Sequence, residues 1–198
     1  GSDTFFVDSG IDDIIDWGNG TDSITINMGA TAVIKVLEIN NPTIVPTFAN
    51  INNNGILKID ASIVSVGTQI FSSKGSDFII GGNGSDAIHV NGEIHGRSVT
   101  IDGGNGSDSL IFLGATTTVT DTDFSKITNM ESLSLPKDSV IELGKNADTS
   151  GISFVYARGS STVIYNGSQV LNVDLNRLPK GVVFTTGHAT GCLLYTSD

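Results

Sequence analysis

The stretch GGNGSDAIHVNGEIHGRSVTIDGGNGSDSLIFL, Gly81 to Leu113, contains the hexapeptide Gly-Gly-Asn-Gly-Ser-Asp twice. Each copy is followed by a small residue and then by an apolar β-former. The glycines permit positive φ and let neighbouring backbones approach closely. The frame Gly-x-Gly-x-Asp-x-apolar-x recurs with varying fidelity along the chain. Asp3, Asp12 and Asp22 head DTFF, DDII and DSIT, while Asp77, Asp86 and Asp108 head DFII, DAIH and DSLI. The steps from Asp3 to Asp12 and from Asp77 to Asp86 are nine residues.

Nine residues accommodate a short strand and a glycine-rich turn, so two periods make one circuit of a flattened coil. Strands one circuit apart then form parallel ladders with alternate apolar side chains pointing inward. Asp3 and Asp22 are about one circuit apart, and so are Asp86 and Asp108 if surplus residues around NGEIHG bulge outward. A longer unit repeats as well: GNGTDSITINMGATAVI from Gly18 aligns with GNGSDSLIFLGATTTV from Gly104 across a one-residue gap. Elsewhere TAVIKVLEI, GILKIDASIVSVG, ESLSLPKDSVIELG, ISFVYA, STVIYNG and QVLNVDL alternate apolar and polar residues, the pattern of strands with one buried face. The helix signal is confined to a short turn at Phe124 to Asn129, with Asp123 as its cap.

The expected fold is all-β: a parallel β-roll or β-solenoid segment with stacked Gly-Asp turns and flanking strands. Its expected divisions are degenerate turns in 1–30, a strand-rich spacer in 31–73, the best repeats in 74–113 and a β-rich continuation in 114–190. Residues 191–198 stand apart, because CLLYTSD resembles the translation of a transposase-end adapter and is expected to lie outside the native fold. That tail holds the only cysteine, Cys192. A chain otherwise without cysteine fits an extracellular protein that does not depend on disulfides.

Composition narrows the function. An apolar share of 38% supports a packed core, while 24 Gly and many Asn, Ser and Thr favour tight turns over helices. A formal charge of −11 argues against nucleic acid or an anionic membrane as partner, and a bound cation would relieve it. No segment is long and apolar enough to span a bilayer as a helix.

Glycine carbonyls and carboxylates together make an oxygen cage, the chemistry of Ca²⁺ rather than of zinc or copper. Ca²⁺ takes six to eight oxygens, more than one turn supplies, so two stacked turns must share each ion. The hexapeptide is then repeated because each half-site needs a partner, and ion binding is coupled to folding.

These residues resemble the RTX, or hemolysin-type, calcium-binding repeats of secreted bacterial proteins, whose consensus is Gly-Gly-x-Gly-x-Asp-x-apolar-x. GGNGSDAIH from Gly81 and GGNGSDSLI from Gly103 match every defined position. WGNGTDSIT from Trp17 replaces the first Gly, and KGSDFII from Lys74 and GIDDII from Gly10 are partial. The resemblance implies a parallel β-roll with Ca²⁺ between turns and type I secretion, with folding triggered by calcium outside the cell. It also implies carboxylate ligands at Asp86 and Asp108, then Asp22 and Asp77, then Asp3 and Asp12. Carbonyl ligands would come from Gly82, Gly84, Gly104, Gly106 and Gly20. The phrase TDTDFSKITNMESLSL is similar to linkers in large repetitive RTX adhesins, which implies a scaffold or adhesin stalk meeting cell-surface or matrix ligands.

Other chemistries have less support. His89, His95 and His188 lack the close second ligand that a zinc site requires. Trp17 beside a turn is read as a local cap on the core rather than as a carbohydrate platform. Arg97, Arg158 and Arg177 are not grouped with carboxylates as a lyase would need, and no Gly-x-Ser-x-Gly, His-Glu-x-x-His or phosphate loop occurs. This stretch is therefore expected not to be catalytic. The alternatives are the calcium-binding part of a secreted hydrolase, lyase, epimerase or toxin, and a β-solenoid indifferent to calcium.

Overall fold

The structure, a computed structural model, describes residues 4–14, 21–26, 30–35, 47–49, 55–91, 94–114, 117–174, 183–186 and 193–196. Every strand pair among them is parallel, and the strands collect into a β-solenoid with three sheets. A ten-stranded sheet runs in chain order through Thr4–Val7, Thr21–Ile26, Thr47–Ala49, Gln69–Phe71, Ala87–Asn91, Ser109–Leu113, Ser132–Lys137, Phe154–Arg158, Leu171–Asp174 and Leu193–Thr196. A six-stranded sheet alternates with its first part: Ile11–Ile14, Thr31–Lys35, Ile56–Asp60, Phe78–Ile80, Thr100–Asp102 and Ile127–Thr128. Thr118–Val119, Val140–Leu143, Thr162–Tyr165 and Val183–Thr186 form a four-stranded sheet along its later part. Because each strand pairs with the strand one circuit away, the chain winds continuously instead of forming hairpins.

Side-chain alternation explains the core. In Ala87–Asn91 and Ser109–Leu113 every second residue is buried, so Ile88 and Val90 face inward with Leu110 and Phe112. Register then stacks Ile70, Ile88, Leu110, Leu133, Val155 and Val173 into one column. Ile34, Ile59, Ile79, Ile101 and Ile127 form the matching column of the six-stranded sheet. Each such side chain contributes about 1.5–3 kcal/mol on burial, so repetition itself builds the core.

The circuits are not of equal length. Hydrogen-bonded positions one circuit apart are separated by 18 residues at Thr68 and Asp86, but by 22 at Asp86 and Asp108. The extra length falls where the sequence places its bulge, and Ile94 from this segment is buried rather than turned outward. The later coils also carry two short helical pieces. A 3-10 turn at Asp121–Phe124 begins earlier than the sequence pattern places it, with Thr120 and Asp123 forming a capping box. The α-helix Lys145–Ser150 has no sequence signal of its own. Its amides at Gly144, Asn146 and Ala147 are bound by the carboxylate of Asp121 from the preceding coil. Leu193–Thr196 pairs with Leu171–Asp174 as one more coil.

Candidate calcium-binding turns

The two complete hexapeptides stack on one edge of the solenoid, immediately before strands of the ten-stranded sheet. Ala87 is in register with Gln69 and Ser109, and Ser109 with Ser132, so Thr68, Asp86, Asp108 and Glu131 stand in line. Side chains bind this line together. Asp86 Oδ1 accepts hydrogen bonds from the Thr68 amide at 2.6 Å and its hydroxyl at 2.8 Å. Asp108 Oδ1 accepts from the Asp86 amide at 2.7 Å, and Glu131 Oε2 from the Asp108 amide at 2.6 Å. Each acidic side chain thus secures the backbone of the coil before it.

The two aspartates differ at their second oxygen. Asp86 Oδ2 reaches back to the Gly82 amide at 2.6 Å, whereas Asp108 Oδ2 is buried and has no hydrogen-bond partner. The cause lies in the glycine turn. Gly104 adopts φ +91°, and its amide donates to Asp102 Oδ1 at 3.1 Å. An orphaned buried carboxylate oxygen costs roughly 1–3 kcal/mol or more. Burial pushes the Asp108 carboxyl up to about 7, with Asp86, Glu131 and Asp102 adding repulsion against a hydrogen bond from the Asp86 amide that lowers it. Among the described residues no ion pair neutralises any of these four acids.

Glycine is required here by the spacing of the coils. A Cβ on Gly81 would overlap the carbonyl oxygen of Gly103, and one on Gly103 would overlap that of Asn129. The same Cβ on Gly103 would stand 2.8 Å from Asp108 Oδ2 and 2.9 Å from Met130 Sδ. Cβ atoms on Gly82, Gly84, Gly104 and Gly106 would likewise strike backbone of the preceding coil. The edge is therefore a backbone-lined cradle with acidic side chains, whose glycine carbonyls are oxygen donors of the kind hard cations take.

The remaining candidates fall elsewhere. Asp77 lies on the opposite edge, before a strand of the six-stranded sheet, and its neighbours in line are Leu57 and Val99. Its oxygens accept from the Leu57 amide at 2.8 Å, the Ser73 amide at 2.7 Å and the Ser73 hydroxyl. Burial raises its carboxyl above the ordinary range, against those hydrogen bonds and the attraction of Arg97. Asp12 and Asp22 stand within strands rather than in turns, in register with Ala32 and Phe48. Asp3, Gly20, Trp17 and His188 lie outside the described residues.

His89 stacks on Phe71 at 4.2 Å, and His95 lies 3.3 Å from Asp123, so they are not neighbours in a metal site. Among the described residues no group of three or more His, Cys, Asp or Glu side chains is placed to hold a metal ion. An ion at the Gly-Asp edge would thus need backbone carbonyls for most of its ligands. Thr68, Asp102 and Glu131 are the site residues that motif reading misses. Glu131 was recoverable, since it precedes Ser132 as Asp108 precedes Ser109.

Fold and turns together define a parallel β-solenoid whose coils are joined at one edge by carboxylate-to-amide bonds. No family model, curated protein or solved structure matches the chain. Among the described residues no helix is long and apolar enough to cross a membrane.

Proposed function

We propose that the edge formed by Gly81–Asp86 and Gly103–Asp108 binds Ca²⁺ structurally, in a scaffold or adhesin-stalk module of a secreted bacterial protein of RTX type. The observation that carries this reading is the buried, unpartnered Oδ2 of Asp108 beside Asp86, Asp102 and Glu131. A cation would neutralise that group and give the oxygen a partner. Asp108 and Asp86 would supply carboxylate oxygens, and Gly82, Gly84, Gly104 and Gly106 carbonyls. Binding would add stability in proportion to the logarithm of calcium over its dissociation constant, so the module would be firm outside the cell and looser within it. Export by a type I route belongs to the same reading, and its alternative is the calcium-binding part of a secreted enzyme or toxin whose catalytic domain lies elsewhere.

A second reading rests on Asp77 and Asp86, each of which already accepts three hydrogen bonds. With both carboxylates satisfied, the turns serve as staples of a calcium-independent solenoid. A calcium titration followed by calorimetry and circular dichroism separates the two, with magnesium and the Asp86→Ala/Asp108→Ala variant as controls. Heat of binding and a gain in thermal stability, both reversed by chelator and lost in the variant, support calcium. Equal stability in calcium and chelator, with no heat, leaves the staple reading.

A further inference from the structure

The outer face of the ten-stranded sheet carries a second feature, which begins at Ser109 and Ser132 beside the calcium edge and runs away from it. The strand Ser132–Lys137 pairs with Ser109–Leu113 only as far as Ser134, whereas Ser109–Leu113 follows Ala87–Asn91 along its whole length. Past Ser134 the pairing with Phe154–Arg158 also slips, so that Lys137 comes opposite Arg158. Pro136 stands within the slipped segment and has no amide to give to a ladder. The sheet forks there.

Two adjoining hollows of about 480 and 360 Å³ occupy the fork and share Ile111, Ser134 and Arg158. Their chemistry is mixed in a particular way. Ser134 presents a hydroxyl beside those of Ser109 and Ser132, which are hydrogen-bonded to each other at 2.7 Å, Tyr156 presents an exposed aromatic ring tilted against Phe154, and Lys137 and Arg158 close one side. Both cations are exposed and, among the described residues, neither forms an ion pair. The nearby carboxylate of Asp138 is engaged by the Ser160 amide at 2.8 Å.

We infer that this fork binds an oligosaccharide carrying one acidic sugar. An aromatic face beside several hydroxyls is what a sugar ring needs, since the ring offers an apolar surface on one side and hydroxyls at its rim. The Arg158 guanidinium supplies the planar fork that recognises a carboxylate or sulfate in bidentate fashion, and Lys137 adds a point charge. The chain's charge of −11 repels a polyanion, which argues against nucleic acid and a fully charged glycan and favours an isolated acidic group in an otherwise neutral chain.

The test is titration of the full chain, at one fixed calcium concentration, with three xylohexaose-based probes: neutral, bearing one glucuronate, and bearing one sulfate. At least one charged probe binds about tenfold or more tightly than the neutral one, as expected for a charge-assisted hydrogen bond. Which charged probe wins tells uronate from sulfate. Arg158→Ala abolishes the preference, Tyr156→Ala weakens all probes that bind, and Lys74→Ala on a distant turn changes nothing. Both site residues are exposed, and thermal unfolding checks that each variant folds as the parent does. Absence of binding, equal binding of charged and neutral probes, or binding untouched by Arg158→Ala would each overturn the inference. Because calcium is held constant, none of these results bears on the ion-binding edge.

Discussion

Asp108→Asn isolates the electrostatic cost of the Gly-Asp edge. The substitution keeps an oxygen for the Asp86 amide and removes the charge that Asp86, Asp102 and Glu131 oppose. A carboxyl whose folded value is raised holds its proton more tightly in the fold than in the unfolded chain. Stability from this group is therefore full below its ordinary value of 3.8 and lost as pH rises to about 7, above which the penalty is complete. That interval sets a ceiling of about 4 kcal/mol, and halving it for solvent screening leaves about 2 kcal/mol. In chelator at pH 8, Asn at this position should raise stability by that amount, or about 4–8 °C in melting temperature. At pH 4 the two proteins should melt together. With saturating calcium the order should reverse, because only the parent has a carboxylate to give the ion. The assay is thermal unfolding by circular dichroism across this grid of pH, chelator and calcium. An Asn variant less stable than the parent in chelator at pH 8 would refute the reasoning, since it would mean that ionised Asp108 is already well compensated without an ion.

Three further substitutions test the architecture. Gly103→Ala, which drives a Cβ into the Asn129 carbonyl, should destabilise by about 3 kcal/mol in urea unfolding. Gly96→Ala, at φ +76° with open space around it, should cost only about 1–2 kcal/mol from its backbone conformation. Asp121→Ala removes the acceptor for three amides at the start of Lys145–Ser150, and a loss of about 1–2 kcal/mol is expected. Hydrogen exchange should then show that helix opening before the neighbouring strands, and unchanged protection there would mean that the cap is dispensable.

The fold was legible because its signal is repeated. Alternation in AIHVN and SLIFL, with glycine-aspartate punctuation at both, determines short strands, one buried face and a circuit of about two nine-residue steps. That is enough to specify a parallel β-solenoid, since a strand with one apolar face and a turn too long for a tight hairpin must find its partner one circuit away. Register was not legible at Asp12 and Asp22, which lie inside strands opposite Ala32 and Phe48, because neighbouring coils rather than the local pattern set it.

Chemistry at the edge was legible only as residue type. Sequence by itself determined that Asp86 and Asp108 would stack, with glycines where no Cβ fits. Tertiary structure alone decided that Asp86 is satisfied by Thr68 and Gly82 while Asp108 keeps an orphaned oxygen. It also decided the fork at Pro136, which brings Arg158 beside Ser134 and Ile111. The physical reason is common to both. A repeat encodes what lies along the chain, but hydrogen bonds and like-charge repulsion depend on what the next coil places a few ångströms away, and coils of unequal length shift that placement.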